Sequence, residues 1–163
     1  MTVQMFLAND RVHDCKEGNV IKIIGRVKQP LLIYREELCT MPLEKIDEIP
    51  IYCGTSTPKG CIADCKGVLI ENIIRKAQVI IEEDNDTKKM FLVISAADGY
   101  TVVFSWQEIF NTPIGGGVMI LIEKNGKPLN KDNGGLELIS TEDYFTGSRY
   151  VKQLQTIEVV IAH

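Results

Sequence analysis

Residues 125–129 read Asn-Gly-Lys-Pro-Leu and stand between short apolar runs in the last third of the chain. An Asn-Gly pair accepts positive φ at both central positions of a two-residue turn, so it predicts a hairpin after the apolar run Val118–Glu123. Asp98-Gly99 carries the same signal and predicts that Met90–Ser95 pairs with Thr101–Ser105. Two further candidate strands complete a β-rich series, Leu136–Ser140 and Gln155–Ile161.

The first half of the chain combines strand and helix signals. Val20–Val27 is rich in β-branched residues and predicts a strand, and Leu32–Tyr34 continues it beyond the turn that Pro30 requires. Leu69–Ala77 repeats apolar residues at the three-to-four spacing of one helical face, so it predicts a helix. Short helices are predicted at two more places, Arg35–Thr40 and Trp106–Phe110, the second with Ser105 as a candidate N-cap.

Two segments carry loop signals. Glu82–Lys89 is dense in charged and polar residues and predicts a solvated surface loop. Gly115-Gly116-Gly117 has neither the lysine nor the following helix of a phosphate-binding loop, so it predicts a flexible turn. Short strands outnumber helices along the chain, and the prediction is an α+β domain built on a mainly antiparallel or mixed sheet.

Length, charge and cysteine usage narrow the class of protein. With 163 residues the chain suits one domain, and we expect a single domain over residues 20–163 behind an N-terminal arm over residues 1–19. The net charge is −4 and no basic run exceeds Lys88-Lys89, so a nucleic-acid partner is not expected. No segment has the composition of a signal peptide or a membrane span. Five cysteines in a chain of this size suit reduced thiols in the cytoplasm.

The order of these motifs resembles the molybdopterin-binding domain of sulfite oxidase-like oxidoreductases. That family has a DGY turn, an NGxPL segment, a Gly-Gly turn and a basic segment before a strand that reads IEV, and here Ile157-Glu158-Val159 closes the series. Gly25–Leu31 is similar to the family's opening segment, Ile51–Gly54 to the strand that ends in its cysteine, and Lys66–Leu69 to its helix start. The resemblance implies the sulfite oxidase-type fold and a molybdopterin cofactor.

Cys53 is the first candidate site residue. The resemblance implies that its thiolate is the protein ligand to molybdenum, a soft donor that suits the metal. The alternative is that Cys53 is a small buried hydrophobe at a strand end. Cys61 and Cys65 follow in a segment containing Gly and Pro, where the three thiols either bind a soft metal or belong to a loop that covers the pocket.

Arg149 and Lys152 are the second candidate. The resemblance implies that both side chains hold the phosphate and pterin oxygens of the cofactor, facing the same cavity as Cys53. The alternative is a solvated basic edge before the last strand. Asn133 and Glu137 stand where catalytic members of the family have histidine and arginine, and a carboxylate at Glu137 would repel the dianionic phosphate.

Three functions follow as hypotheses. The preferred one is a stand-alone domain that binds molybdopterin, another pterin or a small anion without independent catalysis, because the arginines that usually follow the family's cysteine are replaced by Ser56-Thr57-Pro58-Lys59. The second is an active molybdenum oxidoreductase that transfers an oxygen atom and depends on an electron-transfer partner, since the chain has no haem-attachment motif. The third is a protein-interaction module that uses the fold as a scaffold.

Overall fold

A computed structural model describes residues 18–163 of the chain. The predicted arm, residues 1–19, lies outside the described part except for its last two residues. The described helices are short, and none is long and apolar enough to cross a membrane. Helices cover Arg35–Leu38 (α1), Ile70–Lys76 (α2) and Trp106–Asn111 (α3). Strands cover Val20–Gly25 (β1), Leu31–Tyr34 (β2), Glu44–Tyr52 (β3), Pro58–Leu69 (β4), Met90–Ala96 (β5), Thr101–Ser105 (β6), Val118–Lys124 (β7), Lys127–Pro128 (β8), Glu137–Ser140 (β9) and Leu154–Ile161 (β10).

The strands of the described residues form two five-stranded sheets. The first has the order β2-β1-β10-β5-β6, and the second has the order β3-β4-β7-β8 with β9 also paired to β7. β1 and β10 run parallel, and the other strand pairs of both sheets are antiparallel. The prediction of an α+β domain with a mainly antiparallel or mixed sheet is therefore confirmed.

Local sequence signals account for several of these elements. Asn125 and Gly126 both have positive φ, at 54° and 72°, and join β7 to β8 in the predicted hairpin. Ser105 caps α3 through a capping box with Glu108, in which each side chain binds the other residue's backbone N–H. The predicted pairing of β5 with β6 is confirmed, with Ser95 opposite Thr101.

Other predictions were wrong where tertiary packing overrode local composition. At Asp98-Gly99 only Gly99 has positive φ, because the hairpin closes through a longer turn in which Ala96 N–H donates to Tyr100 O at 2.9 Å. The segment expected to be a loop around Cys61 is the long strand β4. The Gly115–Gly117 segment forms a 3₁₀ helix, with Gly115 packed so closely that a Cβ would collide with the Ile109 carbonyl.

The core explains why both sheets stay together. The larger apolar cluster contains residues from β1, β5 and β10 of the first sheet, β7 and β9 of the second, and α2. The smaller cluster lies between β3, β4, β7 and β9. β7 contributes alternate residues to the two clusters, with Ile120 in the larger and Leu121 in the smaller. This burial on both faces explains its continuous apolar sequence.

Candidate functional site

An open cavity of about 420 Å³ lies where the end of β3 meets the β5–β6 turn and the segment that leads into β10. Separate parts of the chain build it, so the side chains converge only in the folded protein. Gly147 lets the walls approach closely, because its N–H donates to Tyr52 O at 2.7 Å and a Cβ would lie 2.7 Å from the same oxygen. The lining residues are Ile51, Cys53, Gly54, Lys59, Asp98, Tyr100, Gly147, Ser148, Tyr150 and Lys152.

Cys53 lies directly after β3 and is partly exposed at the cavity. The Thr55 hydroxyl lies 2.9 Å from Cys53 Sγ, and the Thr57 hydroxyl lies 3.1 Å from that of Thr55. Hydrogen bonds from Thr55, followed by those from Thr57, lower the pKa of the Cys53 thiol to about 6. At neutral pH the thiol is therefore mostly a thiolate, the form that binds metals and attacks electrophiles.

The polar side chains of the cavity carry both signs of charge. Lys59 and Lys152 supply two cations, and Asp98 supplies a carboxylate. Asp98 also accepts a hydrogen bond from Tyr100 N–H at 2.9 Å, as expected for a residue that forms a turn. The Tyr100 hydroxyl donates to Ser148 O at 2.6 Å and so ties the β5–β6 turn to the opposite wall.

Arg149 lies next to this wall but is not among the cavity-lining residues. Its guanidinium donates to both carboxylate oxygens of Asp143, at 2.8 and 2.7 Å, and to Glu108 Oε1 at 3.1 Å. It also donates to Val103 O at 3.1 Å and lies 4.0 Å above the centre of the Phe104 ring. These contacts fix the cavity wall to β6 and α3.

The structure thus brings Cys53 and Lys152 to one cavity and leaves Arg149 outside it. The expectation that all three face the cavity was wrong for Arg149. Arg149 lies in a turn with its guanidinium over the Phe104 ring, whereas Lys152 follows the isolated β-bridge at Val151 and has its ammonium group 5.5 Å from the centre of the Tyr150 ring. Acidic groups on neighbouring elements then capture the guanidinium, and the sequence alone does not reveal them.

Glu137 is not among the cavity-lining residues. Its carboxylate is therefore not placed to repel a phosphate in the cavity, contrary to the expectation from the sequence. Its side chain is buried, with one oxygen 2.8 Å from Lys124 Nζ and the other accepting a hydrogen bond from the Tyr150 hydroxyl at 2.8 Å. Burial, followed by the negative charge of Glu137, raises the pKa of Tyr150 well above its usual range. Lys124 balances the charge of Glu137, and the pair supports Tyr150 in the cavity wall.

The remaining candidates lie apart from the cavity. Asn133 is exposed and donates to Pro128 O at 3.0 Å. Cys61 is exposed on β4, whereas Cys65 is buried in the smaller cluster. Residues 18–163 contain no group of three or more His, Cys, Asp or Glu side chains that could hold a metal ion. Cys39, Cys53, Cys61 and Cys65 are free thiols.

Comparison with known proteins identifies the family. Residues 12–162 match the family described as the oxidoreductase molybdopterin binding domain. The chain belongs to this family. The crystal structure of the sulfane dehydrogenase SoxCD from Paracoccus pantotrophus is similar, with a TM-score of 0.63 and 18% sequence identity. The similarity covers 88% of this chain but 38% of that one, so the two proteins share a fold over part of the larger chain. No curated protein matches the sequence.

The family binds a molybdopterin cofactor, and the donor set of the cavity fits such a group. Cys53 offers a soft thiolate, Lys59 and Lys152 offer positive charge for a phosphate, and Tyr100 and Tyr150 offer aromatic rings in the walls. The volume lies within the range of about 300–1,000 Å³ found for small-molecule pockets. The cavity lining drawn from residues 18–163 includes no arginine.

Proposed function

We propose that this chain is a stand-alone molybdopterin- or pterin-binding domain that does not catalyse oxidation or reduction by itself. One observation carries the proposal: the cavity combines the Cys53 thiolate with two lysines, while Arg149, the arginine nearest in sequence to Lys152, is held outside by carboxylates. The part of the cavity that residues 18–163 form thus keeps groups that suit a cofactor but has no arginine, the rigid cationic fork that suits an anionic substrate.

Each retained group has a distinct part in binding. Cys53 would be the protein ligand to molybdenum, and Lys59 and Lys152 would neutralise the cofactor phosphate. Tyr100 and Tyr150 would contact the pterin. When bound, a molybdenum centre supplies oxygen-atom transfer coupled to a two-electron redox change. The chain's own residues would bind and orient the group and shield one side of it from water.

Weak catalysis follows from the charges at the cavity. A substrate such as sulfite is an anion, and its reaction is accelerated by fixed donors placed where charge develops. Lys59 and Lys152 are both exposed and carry their charges on flexible chains, so they are poorly organised for that task. Losing one preorganised donor typically lowers a rate by about 10²–10³.

The binding test uses the full chain produced in a host that makes molybdenum cofactor. Molybdenum is measured by mass spectrometry, and pterin by fluorescence after oxidation. The Cys53→Ser variant should lose molybdenum, while Cys39→Ser, the same change at an exposed thiol outside the cavity, should retain it. Pterin without metal would favour a pterin-binding domain, and absence of both would favour a protein-interaction module.

The catalytic test uses the loaded protein in dye-coupled assays with sulfite and with a sulfoxide. We expect little or no turnover. Turnover that is present in the loaded protein and disappears in Cys53→Ser would establish an active molybdenum oxidoreductase instead, and would require an electron-transfer partner.

We also propose that residues 20–163 form one domain, because the larger apolar cluster spans both sheets.

We further propose that the protein works in the cytoplasm, because the cysteines of the described residues are free thiols. Labelling with a thiol reagent in intact cells and after lysis would test the compartment. Thiols found oxidised before lysis would contradict it.

A further inference from the structure

β3 forms one edge of the second sheet, since it pairs with β4 and has no strand on its other side within the described residues. An edge strand exposes backbone donors and acceptors to any extended chain that approaches it. The two strands keep one register on either side of Asp47, from Glu44 opposite Gly67 to Ile46 opposite Cys65, and from Glu48 opposite Ala63 to Pro50 opposite Cys61. The backbone groups of β3 therefore alternate regularly between β4 and the open side.

Contacts at the end of β3 show which residues face the open side. Tyr52 N–H donates to Thr146 Oγ1 at 3.2 Å, and Tyr52 O accepts from Gly147 N–H at 2.7 Å. Pro50 O accepts from the Thr146 hydroxyl at 2.7 Å. The segment containing Thr146 and Gly147 therefore covers this end of the edge.

By the same alternation, Glu44, Ile46 and Glu48 point their N–H and C=O groups outward. No backbone hydrogen bond to another part of residues 18–163 occupies these outward groups. The inward groups of Lys45 and Ile49 face their partners Lys66 and Ile62 on β4. Within residues 18–163, the open part of the edge thus offers a short run of backbone positions without a partner strand, long enough for a few strand hydrogen bonds.

A groove of about 450 Å³ runs beside this open edge. Four carboxylates line it, those of Glu44, Glu48, Glu142 and Asp143, and Asp143 is already paired with Arg149. Lys45 is the one cation among the lining residues of the described part of the chain. Glu44 and Glu142 form no ion pair within the described part of the chain. Tyr144, 96% exposed, stands at the same groove. The groove is therefore acidic, and part of its charge is uncompensated.

We propose that the open edge of β3 binds an extended segment of a partner protein that is rich in lysine or arginine, by adding it as a further strand. Backbone hydrogen bonds to Ile46 and Glu48 would hold the segment, and its basic side chains would meet Glu44, Glu48 and Glu142. A second copy of this chain is a poor occupant, because the same acidic side chains would face each other.

This inference is independent of the proposed function of the cavity. The two places are nevertheless adjacent, since β3 leads directly into Cys53. The segment of Thr146 and Gly147 separates the groove from the cavity, with Gly147 lining the cavity and Thr146 the groove. A partner bound at the edge would therefore lie beside the wall of the cavity.

The test uses the full chain and a fluorescein-labelled, eight-residue peptide that alternates lysine and threonine. Fluorescence anisotropy measures binding, and a peptide with glutamate in place of lysine is the control. Amide hydrogen exchange of the ¹⁵N-labelled protein then shows which backbone N–H groups the bound peptide protects. Added peptide should protect the amides of Ile46 and Glu48 and leave those of Lys45 and Ile49 unchanged, because the latter already face β4.

Charge reversal tests the specificity. The double variant Glu44→Lys with Glu142→Lys should bind the lysine peptide at least about tenfold more weakly. The matched control, Glu36→Lys with Glu37→Lys, makes the same change of net charge at exposed positions of α1. It should bind within about twofold of the parent protein, because screening limits the effect of distant charges.

Several outcomes would overturn the proposal. These are no binding of the lysine peptide, equal binding of the glutamate peptide, binding without protection at Ile46 and Glu48, and equal weakening in both double variants. Sedimentation of the protein as a dimer that protects the same two amides would show that a second copy occupies the edge, and would also overturn it.

Discussion

Replacing Arg149 with alanine should destabilise the protein even when no cofactor is present. The change removes the bidentate pair with Asp143 and the hydrogen bonds to Glu108 and Val103 O. It also removes the cation that covers the Phe104 ring. A role limited to cofactor binding would leave the stability of the cofactor-free protein unchanged, so unfolding experiments separate the two roles.

The size of the effect follows from burial. Removing one partner of a buried ion pair costs about 3–5 kcal/mol. Here the Arg149 side chain is 22% exposed, and those of Asp143 and Glu108 are 12% and 30% exposed, so solvent relieves part of the cost. We expect a loss of about 3 kcal/mol in the free energy of unfolding, which lowers Tm by about 6–12 °C in a domain of this length.

Urea and thermal unfolding of the cofactor-free protein provide the measurement. Arg149→Lys should recover only part of the stability, because an ammonium group cannot form the bidentate pair. A double-mutant cycle with Asp143→Asn should give a coupling energy of about 1 kcal/mol or more. Arg75→Ala is the control, since Arg75 is 66% exposed and pairs with Glu71 at 3.7 Å. An Arg149→Ala variant as stable as the parent, with impaired cofactor retention alone, would refute this reasoning.

Three further predictions test other parts of the structure. Cys53 should react with iodoacetamide with an apparent pKa of about 6, and Thr55→Val should raise that pKa because the thiolate loses its main hydrogen-bond donor; an unchanged profile would contradict the assigned cause. Ile73→Asp should cost about 4 kcal/mol or more in urea unfolding, because Ile73 is fully buried on α2; a variant as heat-stable as the parent would refute the helix packing. The pKa of Asp86 is lowered by the backbone N–H groups of Glu82 and Glu83 and by Arg26. Its stabilisation should therefore be complete above the unfolded-state pKa and be lost as pH falls through the folded-state pKa. Asp86→Asn should flatten this part of the acid-unfolding profile, and equal acid sensitivity in both proteins would count against it.

Much of the fold could be predicted because its signals are local. Asn125-Gly126 requires positive φ wherever it occurs in a hairpin, and the capping box of Ser105 and Glu108 is complete within four residues. The helix α2 follows from apolar spacing alone. β4 was missed because Pro58, Gly60 and several polar residues hide the alternation of its sequence. Its pairing with β3 and β7 provides the stabilisation that its composition does not indicate.

The candidate site depended more on tertiary structure. The sequence placed Lys152 in a basic segment before the last strand, and the family resemblance predicted that Cys53 ends a strand and shares a pocket with Lys152. The folded chain decided that Arg149 bonds to Asp143 and Glu108, and that Glu137 is neutralised by Lys124. Charged side chains are directed by whichever partners lie within a few ångströms. Those partners come from distant parts of the chain, so a charge's position in the sequence does not reveal whether it faces a ligand or the protein.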